Sequence, residues 1–301
     1  MDSVAVESTA SVEILQDLIG APARALTVWA GKPNKTGQRI FAHVATPNGR
    51  LWFAKISRDD QGGLLGEFEA MQKVQAMLTG TPFAAASNQV VRYKDGVLVQ
   101  EWRRGTSFRE LLISSHGKFW RRPSIARDCL AIIDWLAGFH ALGAAQTTVS
   151  RTIDELGAAH GDFKPSNILL RSDTPLVVVD WELFDSRSVQ IHDVFHFLIY
   201  FGMTVTAPDR THGLRMTVFE KSWISEIARS CLCRYLAALE CRSGSLNIAF
   251  AEYIETTLRR RSLLGLSNDR YFLVEARKIA AGWNGTPYAF RPLPAVECRT
   301  T

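Results

Sequence analysis

The residues best able to do chemistry stand in one short stretch, His160-Gly161-Asp162-Phe163-Lys164-Pro165-Ser166-Asn167, which runs into Ile168-Leu169-Leu170. A second stretch, Val177-Val178-Val179-Asp180-Trp181-Glu182, follows shortly after. The carboxylate of Asp162 can orient a hydroxyl group and take its proton. The amide oxygen of Asn167 is a hard ligand suited to Mg2+, and Asp180 offers a second hard oxygen at the end of a β-branched run. Alone, Asp-x-x-x-x-Asn reads as a turn and Val-Val-Val-Asp as a strand end. Their conjunction is more specific. The order is fixed, the gap is short, Pro165 restricts the loop, and an apolar strand-like run adjoins each piece.

His-x-Asp-x-x-x-x-Asn, with a further aspartate after the next strand-like run, resembles the catalytic loop and metal aspartate of kinases. More narrowly, Asp180-Trp181-Glu182 in place of Asp-Phe-Gly resembles the aminoglycoside phosphotransferase-type family of small-molecule kinases, within the protein-kinase-like superfamily. The resemblance runs from about Val28 to Leu198. It implies ATP and Mg2+ as cofactors and transfer of the γ-phosphoryl group to a hydroxyl of a small molecule. Asp162 would be catalytic, and Lys164 would sit where a lysine contacts the transferring phosphoryl. Asn167 and Asp180 would hold Mg2+. Lys55, in the strand-like Leu51-Trp52-Phe53-Ala54-Lys55-Ile56, would hold nucleotide phosphates. Glu67, followed by Met71 and Val74 at helical spacing, would fix the head group of that lysine. Glu101 and Trp102 fall at the hinge and would meet adenine, mostly through main chain. Gly-x-Gly-x-x-Gly is missing. Gly31 and Gly37 bracket a shorter turn, with Asn34 or Thr36 as candidate phosphate contacts.

Elements to position these residues are legible along the chain. Strands are expected at 26–29, 39–45, 51–56, 89–93 and 97–101, with a hairpin turn at Thr46-Pro47-Asn48-Gly49. Helices are expected at 11–19, 64–77, 108–113 and 126–142, and later at 216–239, 246–264 and 268–281. The expected fold is therefore α+β: a two-lobed protein-kinase-like fold with an antiparallel β N-lobe carrying one helix over 1–100, a hinge at 101–106, and a mostly helical C-lobe over 107–301. His140 reads as a packed helix residue. Asp193 reads as a carboxylate bracing the backbone of the catalytic loop. His192 and His196, four apart, read as histidines of a core helix rather than metal ligands, because the glutamate of a zinc-protease motif is missing. Only thirteen positions separate Asp180 from Asp193, too few for the activation segment of a protein kinase.

The 301 residues carry 35 Lys plus Arg against 30 Asp plus Glu, a net charge of +5. That balance does not point to nucleic acid, since no long basic run interleaved with aromatics is present. Cys129, Cys231, Cys233, Cys241 and Cys298 show no metal-binding or disulfide-framework spacing. The N-terminus lacks the pattern of a signal peptide, and the longest apolar run, 194–205, is too short for a membrane span, so a cytoplasmic setting is expected. A protein serine/threonine kinase and a non-catalytic nucleotide-binding module are the rival readings. After Asp180 the chain carries fifteen basic and twelve acidic side chains. A region of that charge favours a neutral or anionic, sugar-like acceptor over a polycation.

Overall fold

The structure, a computed structural model, describes residues 12–30, 39–57, 63–86, 90–102, 105–142, 152–171, 176–207, 209–241, 246–263 and 272–291. The glycine turn expected at 31–37 lies outside these residues. The chain divides into two compact units. One is Met1–Gly105 with Arg171–Phe184, and the other is Thr106–Leu170 with Asp185–Thr301.

The first unit opens with helix α1 over 12–19. Strands β1 (Ala25–Ala30), β2 (Ile40–Ala45) and β3 (Leu51–Ile56) follow, then helix α2 (Gly63–Leu78) and strands β4 (Val91–Lys94) and β5 (Val97–Glu101). The five strands form one antiparallel sheet in the order β1-β2-β3-β5-β4. Alternation gives the sheet two different faces. Ala42, Val44, Trp52, Ala54, Val97 and Val99 pack with Leu15, Leu18 and Ile19 of α1 into a core. The opposite face of β2 and β3 carries Phe41, His43, Phe53 and Lys55, with His43 opposite Phe53 and Phe41 opposite Lys55. The β4–β5 turn uses Asp95 and Gly96, at φ 46° and 76°. Asp-Gly tolerates two successive positive φ values better than most dipeptides.

The second unit begins with β6 (Thr106–Ser107) and α3 (Phe108–Ser114), joined by a capping box between Ser107 and Glu110. Helix α4 (Arg122–Leu142), β7 (Leu156–Ala159) and β8 (Ile168–Leu170) follow. The chain then returns to the first unit, where β9 (Val177–Val178) leads to Asp180. Back in the second unit, β10 (Asp185–Val189) pairs antiparallel with β7. The rest is helical: α5 (Ile191–Val205), α6 (Arg210–Leu214), α7 (Trp223–Ala238), α8 (Leu246–Leu263) and α9 (Phe272–Gly282). Helix α5 is apolar nearly all round and is buried along most of its length, as a central helix must be. Gly202 lets another segment come close, because a Cβ there would meet the Thr217 hydroxyl at 1.6 Å.

One helical expectation is corrected. Periodicity predicts an unbroken helix over 216–239, whereas a π-helical turn spans Arg215–Phe219 and α7 starts at Trp223. Ser222 makes the new start. Its hydroxyl accepts from the N–H groups of Ile224 and Ser225 at 3.1 and 3.0 Å, and its own N–H donates to the Ser225 hydroxyl at 2.8 Å. These bonds satisfy amides that a helix N-terminus leaves orphaned. Among the described residues, no helix is long and apolar enough to cross a membrane. Cys129, Cys231, Cys233 and Cys241 are free thiols.

Candidate active site

In the first unit the chemistry gathers around Lys55. Its ammonium lies 2.6 Å from Oε1 of Glu67 on α2 and 2.7 Å from Oδ1 of Asp180. Lys55 and Glu67 are buried, Glu67 almost completely. Burial acts to lower the Lys55 pKa, but the carboxylates of Asp180 and Glu67 outweigh it and hold the lysine charged. Burial raises the Glu67 pKa against the pull of Lys55. Asp180 itself sits at φ 67°, in the left-handed region that non-glycine residues rarely occupy. Trp181 anchors that turn. It is fully buried, and its indole N–H donates to the Val178 carbonyl at 3.1 Å. Glu182 pairs with Arg39 at 2.7 Å, tying the same turn to the start of β2.

The sheet face that carries Lys55 also carries an aromatic surface. Trp102 packs on His43 with ring centroids 4.4 Å apart and on Phe53 at 5.8 Å, and Phe53 stacks on Phe41 at 5.8 Å. A planar base has apolar ring faces to lie against here. The amides of Glu101 and Trp102 are taken by the sheet, donating to the carbonyls of Val90 and Leu51 at 3.0 and 2.8 Å.

In the second unit the loop 160–167 is held from two sides. Asp193, on the first turn of α5, accepts the backbone N–H groups of His160 at 2.6 Å and Gly161 at 2.9 Å. The expected brace of the loop is thus present. His140 also reaches Asp193, at 3.3 Å, and its other ring nitrogen lies 2.6 Å from the Tyr235 hydroxyl. Burial acts to raise the Asp193 pKa, but His140 and the loop backbone hold it below the usual carboxylate range. Gly161 turns at φ 82°, a conformation that glycine adopts without strain.

Asp162 accepts from three side chains. His196 Nε2 lies 3.0 Å from Oδ1, and Asn167 Nδ2 lies 3.1 Å from Oδ2, which also accepts from Lys164. Burial opposes ionisation, but His196 and Lys164 prevail and keep the carboxyl well below its ordinary pKa. His196 Nδ1 lies 3.0 Å from the Tyr253 hydroxyl on α8. One tautomer satisfies both partners: Nε2–H donates to Asp162 and Nδ1 accepts from the tyrosine. His192, the other half of the histidine pair, instead packs edge-on against the Tyr253 ring at 5.6 Å. Both histidines stand on the buried helix α5, as expected, and His196 is the more buried of the two.

No family model matches the sequence, and neither does any curated protein. Solved structures do match. A ternary complex of streptomycin, ATP and an aminoglycoside phosphotransferase of the APH(2'')-IIa type aligns over 97% of this chain and 99% of its own, with a TM-score of 0.50 at 12% identity. The chain has the fold of an aminoglycoside phosphotransferase. That protein-kinase-like fold agrees with the α+β reading, an antiparallel sheet followed by helices. An ADP-bound APH(2'')-Ib aligns over 97% of this chain and 100% of its own at 11% identity and a TM-score of 0.49. A macrolide 2'-phosphotransferase from Brachybacterium faecium aligns over 92% and 99% at 12% identity and a TM-score of 0.44.

The donor chemistry suits a magnesium ion. The amide nitrogen of Asn167 donates to the Asp162 carbonyl and carboxylate at 3.0 and 3.1 Å, and its Oδ1 accepts from the Ser166 hydroxyl at 3.2 Å, which leaves that oxygen one further lone pair. In the first unit, Glu67, Asp180 and Glu182 each bring one carboxylate oxygen within 4.8 Å of the others. Hard oxygens of this kind are what Mg2+ takes. Lys55 already pairs with Glu67 and Asp180, and Arg39 with Glu182, so each of these carboxylates has a cation beside it.

Sequence reading missed His196 as a neighbour of Asp162, Tyr253 as the partner of His196, and Arg39 as the partner of Glu182. His196 is 34 positions from Asp162, inside a helix whose apolar pattern reads as core. No local spacing signals such a contact. Arg39–Glu182 spans 143 positions and was equally hidden.

Proposed function

We propose that this protein is an ATP- and Mg2+-dependent phosphotransferase that moves the γ-phosphoryl group of ATP to a hydroxyl of a small molecule. The observation that carries the reading is Lys55, buried and clasped by Glu67 and Asp180 on a sheet face lined with aromatic rings. A charge kept at that depth suits a phosphate chain, and the rings beside it suit a base. The APH(2'')-IIa structure of the same fold holds ATP.

Roles follow residue by residue. Lys55, set by Glu67, binds nucleotide phosphate, and Glu101 and Trp102 meet the base. Asn167 and Asp180 would hold Mg2+, which would neutralise phosphate charge when bound. Asp162, oriented by His196 and Asn167, aligns the acceptor hydroxyl. The acceptor oxygen bonds to the γ-phosphorus while the bond from that phosphorus to the β,γ-bridging oxygen breaks; ADP leaves and Asp162 receives the proton. Lys164 offsets charge developing on the phosphoryl oxygens. Asp162 is a weak base with its depressed pKa, which suits the loose transition state of phosphoryl transfer, where the hydroxyl gives up its proton late.

The acceptor we favour is a neutral or anionic, sugar-like compound. Near Asp162, among the described residues, Tyr200 packs on His196 at 4.6 Å and Phe272 meets Tyr200 edge-on at 5.6 Å, so aromatic rings stand beside the catalytic carboxylate. Ring faces suit the C–H face of a sugar, whereas a polycation such as an aminoglycoside calls for several carboxylates. The test is an ATP-consumption screen over neutral sugars, sugar acids, nucleosides, amino alcohols and aminoglycosides, with product detected by mass. Turnover of a hydroxyl compound supports the reading. ATP binding without turnover across the panel would leave a nucleotide-binding module instead.

A further inference from the structure

The segment between α3 and α4 reads Lys118-Phe119-Trp120-Arg121-Arg122. Phe119 is 69% exposed and Trp120 is 63% exposed, and their rings meet edge-to-face at 5.4 Å. Two large rings side by side in water are a costly arrangement unless something covers them. Their setting is cationic. From Leu111 to Arg127 the chain has Lys118, Arg121, Arg122 and Arg127 and not one carboxylate. Beside the rings lies a hollow of about 290 Å³ whose polar walls include His116, Lys118, Arg122 and His212, again with no acidic side chain. The cations are held in place: Arg122 stacks over the Trp223 ring at 4.8 Å, and Lys118 donates to the Ser114 carbonyl at 2.7 Å. Arg127, 78% exposed on its side chain, continues the basic run along α4, with Asp128 beside it at 3.6 Å offsetting part of its charge.

We propose that this face docks on the surface of an anionic lipid bilayer. Phe119 and Trp120 enter the boundary between headgroups and acyl chains, and Lys118, Arg121, Arg122 and Arg127 meet lipid phosphates. The chemistry favours a bilayer over other partners. The apolar part is two side chains wide, small for the core of a stable protein–protein interface, which covers about 800 Å² on each partner. Nucleic acid would call for a longer basic stripe. A tryptophan and a phenylalanine ringed by lysine and arginine suit a boundary that is apolar below and anionic above. Docking of this kind is peripheral and reversible.

The experiment is flotation of the whole protein with vesicles of phosphatidylcholine alone and with about a third phosphatidylglycerol, at low and high salt. Binding is expected only with the anionic lipid, and it should weaken as salt rises. The double variant F119S/W120S should lose about tenfold or more in partitioning, since both apolar anchors are gone. R121E/R127E should lose at least about 25-fold, from about fivefold for each cation removed. All four positions are exposed, so circular dichroism melts should match the unmodified protein. Failure to float with the anionic vesicles overturns the proposal. So does flotation of both double variants equal to that of the unmodified protein, or capture by RNA or a protein without any vesicle binding.

Discussion

His196 Nε2 lies 3.0 Å from Asp162 Oδ1, and the far side of the same ring lies 3.0 Å from the Tyr253 hydroxyl. A carboxylate that must align an acceptor is thereby fixed by a ring that is itself fixed. If Asp162 has the role proposed, His196→Gln should lower kcat about tenfold and leave the KM for ATP nearly unchanged. The acid limb of the pH–rate profile should also move to higher pH, because His196 is one of the groups that hold the Asp162 pKa down. Tyr253→Phe should show a smaller change in the same direction. A profile that stays put in His196→Gln would remove the histidine from the orientation of Asp162.

Asp162→Asn should cut kcat by roughly 10²- to 10⁴-fold while Mg·ATP affinity stays within about twofold. Asparagine keeps the size of the side chain but cannot take the proton, and it meets the Lys164 ammonium with an amide in place of a charge. Single-turnover kinetics with the acceptor found in the screen would separate this chemical defect from a binding defect.

Lys55→Met should both abolish Mg·ATP binding and destabilise the first unit by about 3 kcal/mol or more, since Glu67 is left buried beside Asp180 without its cation. Adding Glu67→Met should recover part of the stability and none of the binding. Thermal melts and calorimetric titration of the single and double variants measure the two effects separately. Equal melting of both variants would mean that Glu67 does not depend on Lys55.

His192 should mark the stability of the second unit towards acid. Burial lowers its pKa from the ordinary 6.5 to about 4. In the unfolded chain the imidazole takes a proton near pH 6.5, so between roughly 6.5 and 4 the unfolded state binds more protons than the folded one. Its contribution is complete above that window and is lost as pH falls through it, at most about 1.4 kcal/mol per pH unit. His192→Phe, which keeps a ring against Tyr253, should flatten the pH dependence of Tm between about 6.5 and 4. An unchanged slope would show that His192 does not carry it.

The strands β2, β3 and β5 and helix α2 were legible because alternation and helical period are local signals, and Lys55 and Glu67 could be paired across one connection. The brace at Asp193 was legible too, through its place after the loop. The grip on Asp162 was not. It depends on which way a ring on α5 points, and an apolar helix pattern says only that the ring is inside. The break at Ser222 was written in the sequence as Ser-x-x-Ser, but a hydroxyl at both ends of a capping box is a weaker signal than serine with glutamate. The return of Arg171–Phe184 to the first unit has no sequence signature of its own.

Asp193 receives two consecutive amides of the loop, from His160 and Gly161, and does so from the first turn of a buried helix. A loop set in this way acquires its shape when the chain folds, so no later covalent mark is needed to form it. A phosphotransferase built on it would be switched on from birth. Its output would then follow how much protein is synthesised and how much acceptor reaches it, and a search for an activating modification at this loop would find none.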